Sequence, residues 1–236
     1  MVEYLNLLSF GSEGWGDELG LGVLVTVTLA ACTLPVGLTL GFFIALAKNS
    51  SEPTLRSAAN IYTTIFRGLP ELLTLFLIYY GGQMALTALA MLLFGEGVNV
   101  NSFVAGIFAL ALVFSSYASE VFLSAFKGIT LGQYEGAYAL GLSHFSTMRL
   151  VILPQLIRLA LPGLSNLWLN LLKDTSLVSV IGLADLLRNT NIAVGVTKQA
   201  FFFFLLACLI YLVLSIISSL GLGRISAWAE RGQGGH

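Results

Sequence analysis

The sequence predicts an all-α integral membrane protein with about five transmembrane helices. Of its 236 residues, 57% are hydrophobic and only 10% are charged, and the mean hydropathy is +0.89. A soluble domain carries about 25% charged residues. Because a bilayer core about 30 Å thick needs roughly 20 apolar residues in helical form, several stretches of this chain are long enough to cross it.

Three of these spans are predicted in the first half of the chain. Residues 19–47 form the first span, which ends at a turn-rich polar linker over residues 48–53. The next apolar stretch, residues 58–94, is too long for one straight span, and Gly68 and Pro70 predict a break at residues 67–71. Residues 103–126 form the third span.

The second half of the chain predicts a polar segment and two more spans. Residues 127–149 are too polar to cross a bilayer, so we expect an amphipathic segment there. The fourth span is predicted to begin after Pro154 and to fade near Gly182, and the fifth covers residues 200–222. Many secondary transporters contain two inverted halves, and a chain with five spans, an odd number, cannot hold a complete pair of them. No tandem repeat is visible either, so a transport pathway would need a second chain.

Basic residues near the ends of the spans predict the orientation, because cytoplasmic loops retain lysine and arginine. An external N-terminus and an internal C-terminus would leave only Arg188 and Lys198 outside. The other residues counted would lie inside: Lys48, Arg56, Lys127, Arg149, Arg158, Arg224 and Arg231.

Composition and motifs argue against several other functions. The net charge of −1 gives no basic field that would favour a nucleic acid partner. Cys32 and Cys208 lie in apolar segments without metal-ligand spacing, so no metal site is predicted. The chain has no phosphate-binding loop of the Gly-x-x-x-x-Gly-Lys-Ser/Thr type and no Gly-x-Ser-x-Gly elbow. We therefore expect neither an enzyme nor a cofactor bound by this chain.

The polar segment contains the most informative motif. We expect Glu135 near the start of a short helix, where a carboxylate suits the positive end of the helix dipole, and Gly141 at an interruption of that helix. The spacing resembles the loop of ABC importer permeases, which reads Glu-Ala-Ala, three residues, Gly, nine residues, Ile-x-Leu-Pro. Gly136 and Val151 depart from this pattern, and the matching residues are Glu135, Ala137, Gly141, Leu153 and Pro154.

Further patches resemble the polar amino acid branch of these permeases, which takes up histidine, arginine, glutamine and opines. They are residues 62–71, with an Arg-Gly-x-Pro stretch, residues 160–166 and residues 172–178. The resemblance implies a type I ABC importer permease fold, in a single domain over residues 1–236. It also implies import of a polar amino acid, including basic ones, or of an amino-acid derivative across a bacterial inner membrane.

The resemblance also implies a set of partners. These are two ATPase subunits that bind ATP and Mg, a second permease subunit that is identical or homologous, a soluble substrate-binding protein and membrane lipid. In that family the cytoplasmic loop, here at about residues 128–154, sits in a groove of the ATPase and carries its motion to the spans. Its coupling residues here would be Glu135, Gly136, Ala137, Gly141, Leu153 and Pro154. The alternative is a basic interfacial helix that only fixes the topology.

Charged side chains inside the predicted spans are candidate site residues. Each costs at least about 2.5 kcal/mol at membrane depth, so Glu120, Lys173 and Asp174 need a partner, a wet cavity or a ligand. Lys173 and Asp174 project about 100° apart on a helix, so at most one faces the pathway. The resemblance implies Asp174 and Asn166 as pathway residues, and the alternative is that Lys173 and Asp174 pair with neighbouring helices.

Glu120 is either a pathway residue or part of a hydrogen-bonded lock between helices. Arg67 and Glu71 have the i, i+4 spacing of an ion pair, but Gly68 and Pro70 intervene, so we expect a structural or gating role at the kink. Two other functions stay open at this point. A secondary transporter or channel subunit driven by an ion gradient would work without an ATPase, and a membrane scaffold would have no pathway.

Overall fold

The computed structural model describes residues 6–11, 14–97 and 99–230, and all regular secondary structure in those ranges is helical. Two π-helical turns, Leu77–Gly81 and Met148–Ile152, and a 3₁₀ stretch, Thr175–Ile181, connect or extend the α-helices. The α-helices are α1 Gly16–Asn49, α2 Pro53–Gly68, α3 Glu71–Phe76, α4 Gly82–Phe94, α5 Ser102–Gly128, α6 Leu131–Ala139, α7 His144–Thr147, α8 Leu153–Asp174, α9 Leu186–Thr197 and α10 Ala200–Glu230.

Within the described ranges, five helical runs are long and apolar enough to cross a membrane. They are Gly16–Asn49, Glu71–Phe94, Ser102–Gly128, His144–Ile181 and Ala200–Ala229. They follow the order of the predicted spans, so the prediction of an all-α protein with five spans is confirmed. Helix α2 is a separate element that precedes the second run.

The predicted break in the second apolar stretch is present. Helix α2 ends at Gly68 and α3 begins at Glu71, with Pro70 in an extended conformation between them. The proline ring disfavours a helical conformation at the residue before it, so the chain leaves one helix before it enters the next.

The fourth helical run begins about ten residues earlier than predicted. The Ser143 side chain caps its start by accepting a hydrogen bond from the Ser146 amide at 3.2 Å. Pro154 is the second residue of α8, and α8 follows directly on the π-helical turn Met148–Ile152. A local π turn accommodates the missing proline N–H, so Pro154 does not mark the beginning of the run.

The first of two compact units comprises residues 1–36, 69–111 and 170–216. Among its described residues, Leu19, Leu186, Ala193 and Phe203 form a buried apolar cluster. A Cβ atom at Gly22 would lie 2.8 Å from the Cα atom of Leu186, so α1 approaches the start of α9 at a distance that only glycine permits.

The second unit comprises residues 37–68, 112–169 and 217–236. The Phe42 ring of α1 contacts Phe122 and Phe126 of α5, with ring centroids 5.6 and 6.1 Å apart. A Cβ atom at Gly41 would lie 2.8 Å from the Cβ atom of Ala118. Small residues at such crossings let membrane helices pack closely.

Buried hydroxyl groups in α5 bond to their own helix. Ser115, Ser116 and Ser119 each donate a hydrogen bond of 2.7 to 2.8 Å to the carbonyl three residues earlier. This satisfies their polar atoms in an apolar surrounding, where an unpaired hydroxyl is costly.

Candidate functional site

The segment after α5 is a short helix that ends at a glycine in the left-handed region. Gly141 has φ +77°, and its amide donates to the Tyr138 carbonyl at 2.9 Å. The amide of Leu142 donates to the Ala137 carbonyl at 3.1 Å, which closes the end of α6. A helix that ends in this conformation strongly favours glycine, so the break expected at Gly141 is present.

The predicted coupling residues lie on α6, at its end and at the start of α8. Glu135 and Gly136 are exposed on α6, whereas Ala137 is buried at 4% exposure. Pro154 is exposed at the start of α8, beside the half-buried Leu153. Their role in coupling stays a prediction.

Glu135 differs from expectation in one respect. It is the fifth residue of α6, beyond the first turn, so the expected interaction with the positive end of the helix dipole does not apply. The helices that carry the motif are linked by a side-chain hydrogen bond, in which Gln155 of α8 donates to Gln133 of α6 at 3.0 Å.

Large apolar side chains on and beside α6 are exposed. Leu131 and Leu140 are 77% and 83% exposed, and Tyr138 is 45% exposed. All three lie outside the five helical runs of the described residues that are long and apolar enough to cross a membrane. Exposed apolar groups clustered on one short segment are typical of a surface that contacts a partner or a membrane.

Three charged side chains meet in the second unit. One carboxylate oxygen of Glu120 on α5 lies 2.5 Å from the Lys48 ammonium at the end of α1 and 3.1 Å from the Arg67 guanidinium at the end of α2. The Arg67 guanidinium also lies 5.5 Å from the centre of the Tyr117 ring. This ion cluster joins three helices, as the lock hypothesis for Glu120 predicts, and it leaves a pathway role untested.

Sequence reasoning missed Lys48 as a member of this cluster. Lys48 was counted only among the residues that fix the orientation, because it lies 72 positions from Glu120. Its side chain is 5% exposed, whereas that of Arg67 is 45% exposed. A lysine at the apolar end of one span, with a glutamate inside another span, is the signal that the sequence offers.

Arg67 and Glu71 take part in different interactions. Arg67 binds Glu120, whereas Glu71 in the first unit lies close enough to Asp174 for their carboxylates to interact electrostatically. Asp174 is the last residue of α8 and is half-buried, and the neighbouring Lys173 is exposed. Two carboxylates that act on each other favour a nearby cationic group, and the Lys173 ammonium is one cation that already acts on Asp174.

Asn166 lines a cavity in the second unit. This cavity has a volume of about 260 Å³ and is bordered by Ser165 and Asn166 of α8 and by Ser219 of α10. Within the described part of the chain the buried hydroxyl of Ser165 has no hydrogen-bond partner. The cavity offers hydroxyl and amide groups and no charge.

Outside the spans, burial changes the acidity of Asp185 and Tyr134. Asp185 caps α9, its carboxylate accepting a hydrogen bond from the Arg188 amide at 2.9 Å. Burial raises the pKa of Asp185 to about 6, although that hydrogen bond acts in the opposite direction. Burial also raises the pKa of the Tyr134 hydroxyl.

Five apolar helical runs, a short exposed helix between two of them and charged clusters inside the bundle define a polytopic membrane protein of the permease class. Residues 37–230 match the family described as binding-protein-dependent transport system inner membrane components. The chain belongs to this family, which confirms the resemblance to ABC importer permeases.

Individual relatives match nearly the whole chain. The nopaline transport system permease protein of Agrobacterium fabrum is 42% identical over 230 residues, which cover 97% of this chain and 98% of that one. The arginine ABC transporter permease of Escherichia coli K12 is 37% identical over 220 residues, covering 88% and 92%. The crystal structure of an amino acid ABC transporter with histidines has a TM-score of 0.76 at 34% identity, covering 90% of this chain and 94% of that one.

The family assignment fixes the general role of the chain. It is a multi-pass permease subunit of the inner membrane in an ABC-type transport system, and its relatives are permease subunits rather than enzymes. A system of this family includes an ATPase and a substrate-binding protein as partners.

Proposed function

We propose that this chain imports a polar amino acid, in particular a basic amino acid or an opine, as a single permease domain over residues 1–236. The relatives named for nopaline and arginine support this substrate class. The electrostatic interaction between Glu71 and Asp174 supports it too, because two carboxylates that act on one another favour a nearby guanidinium or ammonium group.

The working complex contains two permease subunits, identical or homologous, together with two ATPase subunits and a soluble binding protein. ATP and Mg bind to the ATPase subunits, and this chain binds no cofactor of its own. The N-terminus lies in the periplasm and the C-terminus in the cytoplasm. The basic residues Lys48 at the end of α1 and Lys127 at the end of α5 support this orientation, because both helices then end inside.

The observation that carries the proposal is the α6 segment. It is short, lies outside the spans, exposes Leu131 and Leu140, and ends at the left-handed Gly141. We assign it to the groove of an ATPase subunit, where closure of the two ATPases would move α8 through the link between Gln133 and Gln155.

Replacing Gly141 tests this role. A side chain at φ +77° costs about 1 to 2 kcal/mol in the left-handed region, so Gly141→Ala should tilt or fray the end of α6. In proteoliposomes we expect substrate-stimulated ATP hydrolysis and uptake to fall about tenfold, which corresponds to about 1.4 kcal/mol, while the ATPase still copurifies. The matched control is Gly132→Ala, because a Cβ atom there meets nothing within 4 Å and α6 is helical at that position.

A panel of substrates tests the substrate class in the same vesicles. Arginine, ornithine, histidine and opines are compared with glutamine, and Asp174→Asn should raise the apparent KM about tenfold for the cationic substrates only. Equal effects on glutamine and arginine would contradict a cation-reading role for Asp174. Uptake without any ATPase that collapses when an ion gradient is dissipated would instead establish a secondary transporter.

A further inference from the structure

A cavity of about 680 Å³ in the second unit opens beside the ion cluster. It lies against the ends of α1 and α2 and against α5, and its charged lining consists of Lys48, Arg67 and Glu120. The two cations and one carboxylate give the lining a net charge of +1. This surplus of positive charge favours water or an anion in the cavity.

The donors of the cluster are only partly used. One oxygen of Glu120 receives a contact from each cation. A lysine ammonium carries three N–H donors and an arginine guanidinium carries five, so both groups have donors left. The Arg67 guanidinium, whose side chain is 45% exposed, presents the planar fork that matches an oxyanion.

Helix α2 adds a polar face to the same cavity. Asn60, Thr64 and Arg67 follow each other at helical spacings of four and three residues, so they lie on one side of α2 and all line the cavity. Asn60 and Thr64 are exposed, and within the described residues their side chains form no hydrogen bond. The neighbouring Thr63 differs, since its hydroxyl donates to the carbonyls of Ala59 and Asn60.

We propose that this cavity is a binding station for the carboxylate of the transported amino acid, with Arg67 as the main ligand and Lys48 as the fixed counter-charge. The inference rests on the proposed function and deepens it, because a carboxylate is the group that amino acids and opines share. Asn60 and Thr64 supply neutral hydrogen bonds to the same group. Glu120 holds both cations in place and keeps the station from binding anions too tightly for release.

The charge of the cavity is measured by thiol modification at Thr64→Cys. The assembled transporter is placed in nanodiscs, with Cys32→Ala and Cys208→Ala removing the native thiols. The probes are a sulfonate-bearing and a trimethylammonium-bearing methanethiosulfonate, each normalised to its rate with 2-mercaptoethanol. We expect the anionic reagent to react faster, and we expect Arg67→Gln to lower the anionic-to-cationic rate ratio about tenfold.

The matched control is Arg56→Gln, which removes the same charge from the same helix outside the cavity lining. It should leave the rate ratio unchanged. Added free arginine should slow modification by the anionic reagent in the protein that retains Arg67. The carboxamide of arginine, which lacks the carboxylate, should not slow it at equal concentration. In the Arg67→Gln protein arginine should lose this protective effect.

Four results would overturn the proposal. They are no reaction with either reagent, a rate ratio that ignores Arg67→Gln, equal protection by arginine and its carboxamide, and protection that depends only on anionic lipid in the disc. The last result would assign the cavity to a lipid phosphate. Uptake measured on the same protein separates the two proposals, because normal amino acid uptake without protection refutes the station alone, and absent uptake refutes the transport function.

Discussion

Removing the charge of Glu120, which both cations of the ion cluster contact, should destabilise the permease more than removing the charge of the exposed Arg67. Glu120→Gln leaves the Lys48 ammonium, whose side chain is 5% exposed, without a counter-charge. Loss of one partner of a buried ion pair costs about 3 to 5 kcal/mol, and the 33% exposure of Glu120 places this case near about 3 kcal/mol.

The other two members of the cluster provide the comparison. Arg67→Gln should cost about 1 kcal/mol or less, because the Arg67 side chain is 45% exposed and its charge is partly solvated. The double variant Lys48→Met/Glu120→Gln removes both members of the buried pair and should be more stable than Glu120→Gln alone by about 2 kcal/mol.

The free energy of unfolding is measured by titrating the detergent-solubilised permease with SDS and following the fluorescence of its three tryptophans. The unchanged protein and these three variants form a set in which only the order of stabilities is needed. If Glu120→Gln and Arg67→Gln cost the same, or if the double variant is no more stable than Glu120→Gln alone, then Lys48 does not depend on Glu120 and the cluster does not lock the helices.

Two further predictions follow from close packing and from burial. Gly41→Ala places a Cβ atom 2.8 Å from that of Ala118 and should cost about 1 to 3 kcal/mol in the same titration. The control Gly20→Ala places a Cβ atom that meets nothing within 4 Å, so it should not destabilise α1. Equal costs of the two changes would contradict the packing argument. Asp185→Asn should stabilise the protein by about 2 to 3 kcal/mol at pH 7.5 and by nothing at pH 4. The sign follows because a carboxyl whose folded pKa is raised to about 6 binds more protons when folded, so stability is lost as pH rises from about 4 to 6, and asparagine keeps the cap of α9. An Asp185→Asn effect that is the same at both pH values would show that the carboxylate is not destabilised by burial.

The sequence is sufficient to predict features that depend on residues adjacent along the chain. Apolar length gave the five spans, and the local chemistry of Gly68 and Pro70 gave the end of α2. Gly141 at the end of α6 belongs to the same class, because a left-handed residue after a short helix is a local requirement.

Features that depend on long-range pairing were not predicted. The contact between Lys48 and Glu120 spans 72 positions, and periodicity carries no information on which helix faces which. The start of the fourth run at His144 was missed for another reason, because Pro154 suggests a helix boundary unless the π-helical turn before it is known. The proximity of Glu71 and Asp174 likewise depends on how α3 meets the end of α8.

The π-helical turn Leu77–Gly81 has a consequence for how the family diverges. Its i to i+5 hydrogen bonding encloses one residue more than an α-helical turn does, so deleting a single residue there would restore a continuous α-helix. The same deletion would leave α4 in nearly its present rotation about the axis, because the wide turn already takes up the additional residue. The outward side formed by Met84 and Leu92, which are 73% and 82% exposed, would therefore keep its direction. We expect single-residue length differences among relatives at this point to leave the pattern of apolar residues along α4 unshifted.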